Sequence, residues 1–217
     1  KVAFSRLLAL ALNPPAESLQ LPFTANEPVA AKCFVSLLLR PLVDAGLVPA
    51  TAGVTATSIT GYSGGGKKMI EEYQAGGNER LKSPRPYALG LAHKHIPEMM
   101  AHTGLVTKPV FMPIVADFYK GLAVSVPLHL PALGGGVTAE ALQAALARRY
   151  EHERFVQVMP LNPMEALDGG CLDVQACNDT NRVDLFVFSN GDQALLMARL
   201  DNLGKGASGA AVQNLQL

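Results

Sequence analysis

A chain of 217 residues, 49% hydrophobic and 17% charged, is long enough to bury one sizeable core. Its 18 Lys and Arg balance 18 Asp and Glu, which removes the basic footprint that nucleic acid or an anionic membrane selects. The expected partners are therefore small molecules or other protein chains.

The three cysteines, Cys33, Cys171 and Cys177, form no C-x-x-C pair, and no histidine cluster stands beside them at metal-ligand spacing. That usage favours the reducing cytoplasm, and no metal is expected. No apolar run reaches the roughly 18 residues of a membrane span. Residues 7–12, after Lys1 and Arg6, resemble a short signal-peptide core but lack a cleavage site, so they read as a cut end.

In chain order, residues 1–28 are irregular, broken by Pro14, Pro15 and Pro22. Phe34, Leu37, Leu38 and Leu42 recur at helical spacing and predict a helix over 30–45, stopped at Gly46. The β-branched run 54–59 predicts a strand running into Gly64-Gly65-Gly66, and the polar stretch 71–86 reads as a surface loop. Alternation at Leu122, Val124, Val126, Leu128 and Leu130 predicts a strand. Thr138 is placed to cap a helix that buries Leu142, Ala145, Leu146 and Tyr150, with Glu140 in its first turn. Strands over 182–188 and 194–200 flank Asn190-Gly191, a hairpin signal, and 206–217 fits a helix. This order predicts an α+β fold, a mixed or antiparallel sheet covered by helices.

Three segments carry compositions suited to chemistry. In 60–68, successive glycines after a strand let backbone N–H groups approach an anion while Lys67 or Lys68 supplies charge; the alternative is a flexible turn. No G-x-x-x-x-G-K-[ST] is present, which excludes an ATP-type phosphate loop. In 93–98, His93 and His95 stand two apart, on one side of an extended segment, with Glu98 three residues later to orient an imidazole for proton transfer. The alternative there is a surface histidine pair. In 201–214, Gly204 and Gly206 permit unusual backbone angles and Asn202 with Lys205 suits an amide or phosphate; otherwise the segment is a tightly packed helix start.

Together the three segments resemble the shorter bacterial form of N-acetyl-gamma-glutamyl-phosphate reductase, which shows T/S-G-Y-S-G-G-G-K, H-K/R-H-x-P-E and a closing D-N-L-G-K-G-A-S-G-A-A-V-Q-N helix. The Arg40-Pro41-Leu42 segment, residues 118–122, and 176–178 through 181–182 also match, so the resemblance covers about 36–217. It implies a fold like the catalytic domain of glyceraldehyde-3-phosphate dehydrogenase. It also implies NADPH-dependent reduction of an acyl phosphate, through a cysteine thioester, to N-acetyl-glutamate semialdehyde in arginine biosynthesis. By the same resemblance, His95 handles protons with Glu98 orienting it, and Tyr62 and His93 lie near substrate. Ser63, Gly64, Gly65 and Asn202 would meet NADP, and the chain would form a dimer or tetramer.

Two features depart from that pattern. The family places its nucleophile in N-P-G-C-Y, whereas here Cys33 falls about three residues late, roughly 4.5 Å along a helix axis. Cys33 is then either the nucleophile restored by a local deletion or a structural cysteine away from the activating helix start. No glycine-rich dinucleotide turn precedes Ala30, so the cofactor-binding half is expected to be absent. The expected organisation is an unassigned remnant over 1–28, a catalytic and dimerisation domain over 29–200, and a helix over 201–217 facing the cofactor-binding domain. The competing readings are a catalytically silent oligomerisation module and an aspartate-semialdehyde dehydrogenase-like reductase, which shares the thioester chemistry.

Overall fold

The computed structural model describes residues 30–215, with side chains from 35 to 213. The irregular remnant expected over 1–28 lies outside them. Helix α1 (Ala30–Asp44) matches the predicted helix. It buries Val35, Leu38, Leu39 and Leu42 completely against the sheet. Pro41 lies inside it and supplies no N–H for the carbonyl of Leu37, four residues back. The hydroxyl of Tyr150, 3% exposed, donates to that carbonyl at 2.8 Å. A proline in one helix is thus answered by a tyrosine more than a hundred residues away.

Strands β1 (Thr55–Gly61), β2 (Arg85–Pro86), β3 (Val110–Ala116), β4 (Leu122–His129), β5 (Val156–Leu161), β6 (Val183–Asn190) and β7 (Gln193–Leu200) form one sheet in the order β2-β3-β1-β4-β7-β6-β5. β1 with β3 and β5 with β6 run parallel; the remaining neighbours are antiparallel. The mixed α+β sheet expected from the element order is present, and the three strands predicted over 122–130, 182–188 and 194–200 are consecutive in it as β4, β7 and β6.

Along β1, Ala56, Ser58 and Thr60 turn to the helix-covered core while Thr55 and Ile59 are exposed, the alternation of a sheet with one covered face. On the open face, Ile59 is 37%, Val110 45% and Met112 36% exposed. The covered face carries α1, α3 (Ile96–Thr103) and α5 (Ala139–Tyr150). Thr138 caps α5 by accepting the N–H of Ala141 at 3.2 Å, and Leu142, Ala145, Leu146 and Tyr150 are its buried face, all as the sequence predicts.

Three expectations are corrected. Residues 71–74 belong not to a loop but to α2 (Lys67–Gln74), which buries none of its residues fully; its apolar stripe of Met69, Ile70 and Tyr73 is half-buried and spans only two turns, too short a period to read. The rest of 71–86 holds a 3-10 turn at Glu79–Lys82 and β2. In the hairpin, Asn190 pairs with Gln193, so the two loop residues are Gly191 and Asp192, with Gly191 at φ 53. The closing segment begins as a π-helical turn at Gly204–Ser208 before α6 (Gly209–Leu215); the short α4 (Leu130–Leu133) links β4 to α5.

Candidate functional site

Two groups of predicted site residues form on the covered side of the sheet. The first surrounds the turn after β1. Tyr62–Gly65 is a 3-10 turn braced by the next crossover, with the N–H of Tyr62 donating to Phe118 O at 2.9 Å and that of Ser63 to Tyr119 O at 3.0 Å. A Cβ on Gly61 would lie 2.6 Å from those two carbonyl oxygens, so glycine is what lets the strands close here. Ser63, 5% exposed, accepts from the Asn202 side-chain nitrogen at 3.0 Å, across 139 residues of chain. The Asn202 oxygen accepts the N–H of Gly121 at 2.7 Å. Gly64 faces the same carboxamide, since a Cβ there would be 3.7 Å from Asn202 Nδ2.

Ser63, Gly64 and Asn202 are therefore brought together as one surface, and Gly65 and Gly66 stay exposed beside it with Lys67 and Lys68. Asn202 has one carboxamide hydrogen left over after donating to Ser63. Tyr62 stacks on Tyr73 with ring centroids 4.5 Å apart and meets Tyr119 edge-on at 5.6 Å.

Behind this surface lies Asp201, whose side chain is 3% exposed. Its Oδ1 accepts the N–H groups of Leu203 at 2.8 Å and Gly204 at 3.0 Å, and its Oδ2 that of Asp179 at 2.8 Å. Burial opposes the charged form, but these backbone donors together with Lys120, 3.7 Å away, hold the carboxyl below its ordinary value. Lys120 also pairs with Asp179. Gly121, Lys120 and Asp201 were given no role in the sequence, because their roles rest on contacts between a β3–β4 turn, the 176–182 segment and the chain after β7. The available signals were the familiar look of 118–122 and the place of Asp201 at the head of the 201–214 motif.

The second group holds the histidines. The segment is not extended at His95, whose φ of −81 and ψ of −11 make it the cap of α3. The turn still brings the pair together: the His95 N–H donates to His93 Nδ1 at 3.2 Å, and the ring centroids are 4.6 Å apart. His93 also meets Phe111 at 5.3 Å and Tyr87 at 5.9 Å, while His95 is 8% exposed. Because His93 Nδ1 accepts, its proton belongs on Nε2. Glu98 follows in the first turn of α3, three residues after His95 and so on its side of the helix.

Phe111 pairs with Ala56, and the Tyr87 N–H donates to Pro113 O, so the histidines sit over the first half of β3. Ser63 follows Gly61, which pairs with Ala116 at the end of that strand. Three to five residues of strand, roughly 10–17 Å, separate the two groups. The side chain of Cys33, the candidate nucleophile, lies outside the described residues. Cys171 is exposed; Cys177 is buried and donates to Asp184 at 3.2 Å, its thiol pushed up by burial and by that carboxylate. Cys177 is therefore poorly suited to act as a thiolate.

The sequence and fold match known proteins closely. The chain is 44% identical over 187 residues to N-acetyl-gamma-glutamyl-phosphate reductase 2 of Nostoc sp., covering 82% of this chain and 58% of that protein. It is 46% identical over 182 residues to N-acetyl-gamma-glutamyl-phosphate reductase of Burkholderia lata, covering 83% of this chain and 57% of that protein. Against N-acetyl-gamma-glutamyl-phosphate reductase 2 of Pseudomonas putida it is 47% identical, with coverage of 83% and 58%. The chain thus spans less than three fifths of the length of these relatives.

The solved aspartate semialdehyde dehydrogenase II of Vibrio cholerae superposes with a TM-score of 0.63 at 18% identity, over 88% of this chain and 60% of that one. Aspartate semialdehyde dehydrogenase of Francisella tularensis gives 0.61 at 15% identity, over 83% and 60%. These establish a shared fold. A model described as the PPi-type PEPCK N-terminal domain matches residues 1–59, about half of which lie outside the described residues. The model described as semialdehyde dehydrogenase, dimerisation domain, matches residues 33–202, through both groups of site residues and the whole sheet, and the chain belongs to that family.

Proposed function

We propose that the chain is the catalytic and dimerisation portion of an NADPH-dependent N-acetyl-gamma-glutamyl-phosphate reductase of arginine biosynthesis. The observation that carries this is the 44–47% identity to reductases of that name over 82–83% of the chain. The solved aspartate semialdehyde dehydrogenases share the fold at 15–18% identity, far more distant in sequence, which ranks the aspartate-type reductase second.

The assigned chemistry is acyl transfer followed by reduction. The Cys33 thiolate attacks the acyl carbon, the carbon–oxygen bond to phosphate breaks, and a thioester remains on sulfur. A bound NADPH would supply the hydride that reduces the thioester carbon, and cleavage of the carbon–sulfur bond would return the Cys33 thiolate with release of the semialdehyde. His95 takes the thiol proton at the outset and handles the proton on the hemiacetal oxygen, with Glu98 orienting its ring. His93 and Tyr62 border the substrate.

Ser63, Gly64, Gly65 and Asn202 are assigned to the nicotinamide side of a cofactor: Gly65 is exposed beside the buried Ser63–Asn202 pair, and Asn202 keeps one carboxamide hydrogen. We assign the pyrophosphate side of the cofactor to a part of the complete protein that this chain, spanning 57–58% of the length of its relatives, does not cover. We assign α6 to the contact with it, since Val212 is left 54% exposed. The exposed apolar strip of Ile59, Val110 and Met112 is the face assigned to self-association. Among the described residues no helix is long and apolar enough to cross a membrane, and cytoplasm is the compartment proposed.

The test uses the complete protein that carries this chain. NADPH oxidation should require N-acetyl-glutamyl phosphate and release phosphate, with aspartyl phosphate a poor substitute, and Cys33→Ser should abolish it. Turnover surviving Cys33→Ser would remove Cys33 from the mechanism. A well-folded protein with no turnover on either acyl phosphate would leave the silent oligomerisation module standing.

A further inference from the structure

The buried network behind Asn202 assigns a role to a residue that the proposed chemistry does not use. An aspartate accepting N–H groups two and three residues ahead is an ordinary helix cap, and Oδ1 of Asp201 does this for Leu203 and Gly204 at 2.8 and 3.0 Å. The second oxygen does something a cap does not need. Oδ2 takes the N–H of Asp179 at 2.8 Å and faces the Lys120 ammonium at 3.7 Å. Both are tied to the crossover that holds Asn202: Lys120 precedes Gly121, whose N–H donates to Asn202 Oδ1 at 2.7 Å, and Asn178 donates to Lys120 O at 2.9 Å.

Gly121 itself, at φ 124, has no room for a side chain, because a Cβ would lie 3.0 Å from Val174 O. The N–H that anchors Asn202 is therefore held by the same segments that Asp201 gathers. We propose that Asp201 is a positioning residue: through Asp179, Lys120 and the Gly121 N–H it sets the Asn202 carboxamide against Ser63, and so shapes the surface offered to a nicotinamide. This rests on the reading of Ser63 and Asn202 as the cofactor side of the site.

The variants are Asp201→Asn, which keeps one acceptor and loses the charge, and Lys120→Met, which leaves the cap oxygens in place. In the complete protein, Asp201→Asn should raise KM for NADPH about tenfold while KM for the acyl phosphate changes less than about twofold, and Lys120→Met should raise KM for NADPH about threefold. A purely structural cap lowers the folded fraction, which scales kcat and leaves both KM values alone. Unchanged KM for NADPH in every variant that folds would overturn the proposal.

A second readout needs no activity. In the 15N-labelled protein the Asn202 side-chain amide protons should exchange slowly with solvent and become fast in both variants. Slow exchange retained in the variants would likewise overturn the positioning role. A protein inactive with NADPH but showing the loss of protection would instead refute the cofactor assignment and leave the network as described.

Discussion

Replacing Tyr150 with Phe tests how α1 tolerates its internal proline. Pro41 leaves the Leu37 carbonyl without its helical donor, and Tyr150 supplies one at 2.8 Å from a site only 3% exposed. Phenylalanine fills the same volume but strands a buried carbonyl, which costs about 1–3 kcal/mol. For a domain of this size, that corresponds to a fall in Tm of roughly 2–12 °C.

The diagnostic step repeats Tyr150→Phe in a Pro41→Ala background, where residue 41 regains its N–H. There the tyrosine hydrogen bond becomes a second one to an already satisfied oxygen, and its loss should cost no more than about 0.5–1 kcal/mol. The double-mutant cycle from urea unfolding should then show a coupling of roughly 1 kcal/mol. Equal costs in the two backgrounds would refute the pairing of Tyr150 with Pro41. Burial also pushes the Tyr150 hydroxyl well above its ordinary 10.0. A raised folded value on an acid means stability that is full below pH 10 and is lost as pH rises beyond it, so Tyr150→Phe should flatten that alkaline decline.

His95→Asn in the complete protein should lower turnover by about 10² to 10⁴ with circular dichroism unchanged; near-normal turnover would move the proton-handling role elsewhere. The isolated 217-residue chain, titrated with NADPH by fluorescence, should bind only at about millimolar concentration, because the pyrophosphate side of the cofactor is assigned to the part of the complete protein that this chain does not span. Micromolar affinity would show that the cofactor site is more complete than drawn. Lys205 is drawn down to about 8 by burial, although the Phe155 ring lies 5.3 Å from its ammonium. The unfolded chain then holds a proton that the folded one has lost between about pH 8 and 10.5, so stability should rise across that window, and Lys205→Met should remove that rise. An unchanged pH slope in the variant would contradict the assignment.

Local periodicity carried much of the fold. Strands β4, β6 and β7 and helices α1 and α5 follow from patterns of two and of 3.6 residues, because each buries one face of a regular element against the same core. Strands β3 and β5 were not legible. Pro113 interrupts the first and Pro160 the second, and β5 shifts register between Val158 and Leu161, so both read as punctuation. Helix α2 was missed for another reason, its apolar stripe of Met69, Ile70 and Tyr73 being short and only half-buried.

The chemistry divides the same way. The residue types in 60–68, 93–98 and 201–214, and with them the likeness to acyl-phosphate reductases, are local properties that any reading of the sequence contains. What joins Ser63 to Asn202, Asp201 to Asp179 and Tyr150 to Leu37 is hydrogen bonding across 139, 22 and 113 residues, and no spacing rule encodes it. Those pairings exist only once the sheet has brought β1, β4 and β7 side by side, because a hydrogen bond forms at about 3 Å whatever the length of chain between its partners.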